Sequence, residues 1–142
     1  AQPSTQQSQC ISCQSGTYQN LEGKATCKPC EAGTVQSQSG QTKCIACPAG
    51  TQPNQSSTIC TECQPGSVNP IEQGTCQSCS DGYVQPLSGQ TTCSICSAGS
   101  YMSTDRTICI SCPLGYSQSL QGQVKCDQCS VGTVASAIGS TK

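Results

Sequence analysis

The stretch Cys27-Lys28-Pro29-Cys30-Glu31-Ala32-Gly33-Thr34-Val35-Gln36-Ser37-Gln38-Ser39-Gly40-Gln41-Thr42-Lys43-Cys44 carries the reading of the whole chain. It is one C-x-x-C pair, a connecting loop from Glu31 to Lys43 and the first cysteine of the next pair. Gly33 stands three residues after the second cysteine, where it supplies positive φ to a tight turn just beyond a crosslink. Thr34-Val35 follows and favours a short strand. Gly40, at the tenth loop position, turns the chain, and Gln41-Thr42-Lys43 returns it to the next cysteine. The stretch predicts a small hairpin clamped at its base.

The same unit recurs along the sequence, and such self-similarity decides an architecture before any local propensity does. Eight pairs occur: Cys10/Cys13, Cys27/Cys30, Cys44/Cys47, Cys60/Cys63, Cys76/Cys79, Cys93/Cys96, Cys109/Cys112 and Cys126/Cys129. Each is followed by a turn glycine: Gly16, Gly33, Gly50, Gly66, Gly82, Gly99, Gly115 and Gly132. Loops as long as Glu31 to Lys43 repeat the second glycine at Gly23, Gly40, Gly89, Gly122 and Gly139. Three loops are shorter by a single position and end differently, in Thr58-Ile59, Gly74-Thr75 and Thr107-Ile108. Short strands are expected at Thr17-Tyr18, Thr34-Val35, Ser67-Val68, Tyr83-Val84, Ser100-Tyr101 and Thr133-Val134. No helical period appears. The expected fold is small and disulfide-rich: an elongated tandem array of short β-hairpin repeats with little regular secondary structure and no helix.

Repeats fall at about 13–29, 30–46, 47–62, 63–78, 79–95, 96–111 and 112–128, with partial repeats at 1–12 and 129–142. Ala1-Gln2-Pro3 stands seven residues before Cys10, as Thr51-Gln52-Pro53 stands seven before Cys60. The segment from Ser130 to Lys142 is one full longer loop and stops where another cysteine is due. These phases predict that residues 1–142 are a window on a longer array.

Composition agrees. Of 142 residues 16 are Cys, only 18 are Leu, Ile or Val, and there is no His, Trp or Phe. Too few apolar side chains are present for an ordinary core, so crosslinks must replace it. The six Lys and Arg are scattered and the net charge is −1, so the chain offers no basic stripe for nucleic acid. No apolar run approaches the length of a membrane span. Cysteine in this abundance points to an oxidising compartment, extracellular or at the cell surface.

Two pairings suit the repeat. A serial scheme joins Cys13–Cys27, Cys30–Cys44, Cys47–Cys60, Cys63–Cys76, Cys79–Cys93, Cys96–Cys109 and Cys112–Cys126, and leaves Cys10 and Cys129 to partners outside the window. A crossed scheme joins Cys10–Cys27 with Cys13–Cys30 and so on, which would make alternate loops differ. The shorter loops do not alternate with the longer ones, and this favours the serial scheme. In it each loop has the size for which chain entropy gives about 3 kcal/mol.

Other chemistry is set aside on stated grounds. C-x-x-C pairs signal zinc in cytosolic proteins, but eight run here unbroken with no His. A redox C-x-x-C needs one activated thiol rather than eight copies. Catalysis lacks His, and the carboxylates Glu22, Glu31, Glu62, Glu72, Asp81, Asp105 and Asp127 occupy different repeat phases, as solvated turn residues do. The chain is therefore expected to be no enzyme and to need no cofactor or metal. Asn54-Gln55-Ser56 makes Asn54 the candidate N-glycosylation site. Tyr18, Tyr83, Tyr101 and Tyr116 are expected to pack over neighbouring disulfides.

Cys44 to Thr51, Cys13 to Tyr18 and Cys112 to Tyr116 together resemble the ephrin-receptor-like cysteine-rich repeat, which is related in style to tumour-necrosis-factor-receptor modules. The C-x-x-C arrays of protist surface antigens are also similar, and the glutamine content resembles that of ciliate proteins. The resemblance spans the whole sequence. In receptor-style modules the Cys-Pro-x-Gly loop closes onto the next cysteine, which agrees with the serial scheme.

The sequence thus leads to a non-enzymatic extracellular structural protein, a disulfide-laddered rod in a fibre, appendage or cell-surface coat. Its expected partners are copies of itself or other chains in an extracellular assembly, with glycans attached. A receptor or adhesin ectodomain, serving as a stalk or as a protein-ligand-binding module, is the alternative, and a metal-binding cysteine array is the second rival. Monotony argues for the first, because binding needs individualised anchor residues. In such an array each repeat is expected to contact only its immediate neighbours, and stacked strands give a rise of ~10 Å per repeat.

Overall fold

The computed structural model describes residues 10–142; most of the partial repeat 1–12 lies outside them. The described residues form seven antiparallel two-stranded hairpins in chain order and contain no helix. They pair β1 (Thr17–Tyr18) with β2 (Lys28–Pro29), β3 (Thr34–Val35) with β4 (Ile45–Ala46), β5 (Thr51–Pro53) with β6 (Cys60–Glu62) and β7 (Ser67–Val68) with β8 (Gln77–Ser78). The series continues with β9 (Tyr83–Val84) and β10 (Ser94–Ile95), β11 (Ser100–Met102) and β12 (Cys109–Ser111), and β13 (Tyr116–Ser117) and β14 (Asp127–Gln128). The fold is a small disulfide-rich tandem hairpin array.

Each outgoing strand starts from a β-turn. Thr34 N–H donates to Glu31 O at 3.0 Å, and Gly33 sits between them with φ +79°, the value a type II turn needs at its third residue. The Thr34 hydroxyl donates to the same carbonyl at 2.7 Å. Thr17, Thr51, Ser67, Ser100 and Thr133 do likewise, which explains the hydroxyl residue after so many turn glycines.

The return strand lies one step beyond the place the sequence suggested. It is formed by the two residues inside the next C-x-x-C: Val35 faces Ile45 and Thr34 faces Ala46, whereas Gln41-Thr42-Lys43 only leads up to Cys44. Thr133-Val134, expected as a strand, is not one. Its pairing partner would be such a dipeptide, and no C-x-x-C follows Cys129 in the sequence.

Disulfides join Cys13–Cys27, Cys30–Cys44, Cys47–Cys60, Cys63–Cys76, Cys79–Cys93, Cys96–Cys109 and Cys112–Cys126. Cys10 and Cys129 form no disulfide among the described residues. The interior is the disulfide column itself: Cys13, Cys47, Cys63, Cys79, Cys96 and Cys112 are buried, while most aliphatic side chains, Ile45, Ile71, Leu87 and Leu120 among them, are exposed. Among the described residues only Val84 and Met102, packed on the Cys96–Cys109 bridge, resemble an ordinary apolar cluster.

Candidate functional site

The distinctive chemistry of the chain is concentrated at the junctions between repeats. Backbone hydrogen bonds stitch each repeat to the next: Gly16 N–H donates to Gln36 O at 2.7 Å, Gly66 N–H to Gln85 O at 2.7 Å and Gly99 N–H to Gln118 O at 2.7 Å. In the other direction, Gly40 N–H donates to Cys13 O, Gln73 N–H to Cys47 O and Gly89 N–H to Cys63 O. Backbone groups that a two-strand hairpin leaves open are thereby satisfied.

A second layer of contact skips a repeat. The carbonyl oxygen of Gln73 occupies the place where a Cβ on Gly33 would stand. The same close approach joins Gly16 to Ser56, Gly50 to Gly89, Gly66 to Asp105, Gly82 to Gly122 and Gly99 to Gly139. Each of these turn glycines therefore abuts the second turn of the repeat two places further on. This corrects the expectation that contacts reach only immediate neighbours. Glycine is required twice over, for positive φ and for absence of a side chain.

The tenth loop position is left-handed even without glycine. Ser57, Gln73 and Arg106 take φ of 56°, 62° and 62°, and they stand at the tenth position of the three shorter loops. Gly74, the nearby glycine, is absent from the positive-φ set.

Glutamine performs a task that the sequence reading did not assign. Gln36 is buried; its Nε2 donates to Lys43 O at 2.8 Å and its Oε1 accepts from Gln38 N–H at 2.9 Å. Gln85 spans Thr92 O and Leu87 N–H, Gln118 spans Lys125 O and Leu120 N–H, and Gln19 spans Thr26 O and Leu21 N–H. Each stands six residues after the second cysteine of a pair, and each braces a longer loop across its width. That spacing was a legible signal. In the shorter loops Asn54, Asn69 and Ser103 replace it. Asn54 Oδ1 accepts from Thr58 N–H at 2.8 Å while its Nδ2 donates to Thr58 Oγ1 at 3.0 Å. Asn69, 1% exposed, donates to Thr51 O at 2.8 Å in the preceding hairpin.

Two carboxylates do more than meet solvent. Asp105 Oδ1 accepts from the hydroxyls of Thr107 at 2.6 Å and Ser103 at 2.7 Å, and these bonds, Thr107's foremost, hold its carboxyl below the usual range. Asp81 pairs with Arg106 at 3.0 Å. The same guanidinium donates to Cys79 O at 2.7 Å, clamping the hairpins of β9–β10 and β11–β12 together.

Equivalent grooves open between consecutive hairpins. One of about 210 Å³ lies beside Tyr18, Glu31, Thr34 and Lys43. A wider one of about 690 Å³ lies beside Val68, Pro70, Ile71 and Tyr83 and has no charged lining residue. Tyr83 and Tyr116 are 38% exposed, and Tyr18 and Tyr101 are half-buried. No group of metal-ligating side chains is assembled among the described residues, and no helix there is long and apolar enough to cross a membrane.

Together these features define a disulfide-rich tandem hairpin array whose repeats are fastened to first and second neighbours. The family model described as tyrosine-protein kinase ephrin type A/B receptor-like matches residues 2–40, 22–58, 66–108 and 99–142. The chain belongs to this ephrin-receptor-like cysteine-rich repeat family, which is receptor-like rather than catalytic. Repeats of this kind are typical of extracellular domains. No curated protein matches the chain.

Proposed function

We propose that the chain is a non-enzymatic structural segment of an extracellular assembly, a disulfide-laddered rod in a fibre, appendage or surface coat. One observation carries this reading. The turn glycines, buried cysteines and loop-bracing glutamines make up most of the repeated signature, and they serve the joining of repeats and the closing of loops. In this reading Cys10 and Cys129 bond to cysteines beyond this sequence, Asn54 carries a glycan, and the partners are copies of the chain or other extracellular chains. The test is extraction of the native material with and without reductant, with immunogold labelling of the source. Label along insoluble filaments or coats, released by reductant, supports the reading. Label on a solitary detergent-soluble receptor overturns it.

The uncharged 690 Å³ groove favours a second reading, a receptor or adhesin ectodomain, because one junction there departs from its equivalents. Specific capture of a soluble protein by the intact chain, abolished by Tyr83→Ala, would select that reading over the first.

A further inference from the structure

We propose that the array is a load-bearing tether with a covalent stop: it lengthens by parting its repeats, then halts abruptly while every loop remains closed. The proposal rests on the structural reading above for its setting, but its test does not depend on where the chain resides.

The serial crosslinks dictate the path of tension. From Cys13 to Cys126 force crosses seven disulfides, whose Cα–Cα spans lie between 5.5 and 5.9 Å. Between them it crosses six C-x-x-C steps of three peptide units, each ~10 Å when taut. The stop is therefore ~100 Å, whereas the same stretch without crosslinks reaches ~400 Å. The loops between paired cysteines are bypassed and bear no load.

At rest the path is shorter than its stop. Gly33 touches the Gln73 backbone, although the stop lets Cys30 and Cys76 part by ~40 Å. What resists parting is a few backbone hydrogen bonds and one glycine contact per junction, with side-chain clamps from Asn69 and Arg106 at two of them and almost no aliphatic burial. Junctions of this kind open one by one, while their hairpins stay closed. Rejoining then re-orders only the hinge at each crosslink, since the two residues between crosslinks already lie in a hairpin strand, a small entropy loss. Recoil should accordingly be fast and complete.

The experiment is optical-tweezers extension of the oxidised chain, held by handles at both ends. Without reductant we expect reversible lengthening that saturates at ~100 Å between Cys13 and Cys126, beyond the contribution of the flanking residues. With dithiothreitol, up to seven further steps of ~40 Å should appear. The double variant Cys63→Ser/Cys76→Ser should release one such step with no reductant. Lengthening past the stop in the oxidised native chain overturns the proposal. So does a chain that shows no short resting state or fails to recoil between pulls.

Discussion

Gly33 and Gly23 separate two reasons for glycine. Both have positive φ, +79° and +70°, but only Gly33 has a neighbouring backbone in the place of its Cβ; Gly23 has open space. Gly23→Ala should cost the left-handed conformation alone, ~1 kcal/mol. Gly33→Ala adds a clash with backbone that cannot swing aside, so it should lose at least ~3 kcal/mol. Thermal unfolding of the two oxidised variants checks this, and equal losses would remove the second-neighbour contact from the argument. The converse case is Ser57→Gly, where a left-handed residue whose side chain makes no hydrogen bond among the described residues becomes glycine. It should gain ~0.5–1 kcal/mol. The sequence made the turn legible through Gly33. The clash was not legible, because it joins Gly33 to a distant Gln73 through a backbone oxygen that carries no side-chain signature. The left-handed Ser57, Gln73 and Arg106 were hidden for a related reason: the loop geometry imposes that φ whatever the residue.

At the scale of one hairpin, stability lies in polar braces rather than in strand length. A two-residue ladder is too short to persist by itself. The disulfide closes the loop, and the Gln85 amide then ties Thr92 O to Leu87 N–H inside it. Gln85→Ala leaves two loop backbone groups unpaired and should cost ~1–3 kcal/mol. Amide exchange of Leu87 should quicken far more than that of Leu120, whose brace is Gln118; uniform change would point to a global effect instead. The loop of β11–β12 depends on pH through Asp105. Its carboxyl is held below the ordinary value, so the stabilisation is present above that value and is lost as pH falls through the folded one. Protection of the Thr107 amide, its exchange taken relative to the intrinsic rate at each pH, should therefore fall below about pH 4, and Asp105→Asn should flatten that profile. A protection factor that does not change with pH would show that the Asp105 bonds are not formed in solution. Outgoing strands were readable from β-favouring pairs such as Thr34-Val35. Return strands were not, because Lys28-Pro29, Thr61-Glu62 and Gln77-Ser78 carry little strand propensity and are exposed. Pairing is imposed on them by the cysteines that flank them.

Across the whole molecule the second-neighbour contacts set how far a local injury travels. An array with first-neighbour coupling alone confines a defect to the repeats beside it. Here the hairpin of β7–β8 touches that of β3–β4 through Gln73 and Gly33, and that of β11–β12 through Gly66 and Asp105. Opening the Cys63–Cys76 loop with Cys63→Ser/Cys76→Ser removes a closure worth ~3 kcal/mol. Amides in residues 63–78 should then exchange roughly a hundredfold faster. Residues 47–62 and 79–95 should follow through their shared backbone bonds, since Gln73 N–H donates to Cys47 O and Gly66 N–H to Gln85 O. The decisive segments are 30–46 and 96–111. Their exchange should rise as well, because each loses the carbonyl or glycine that it holds against the injured hairpin. Segments 13–29 and 112–128 lie three repeats away, share no backbone hydrogen bond or glycine contact with it among the described residues, and should change least. Exchange read by mass spectrometry on the oxidised chain resolves all seven hairpins at once. A loss of protection that ends sharply at residues 47 and 95 would return the array to simple neighbour-by-neighbour coupling, with the turn glycines serving their turns alone.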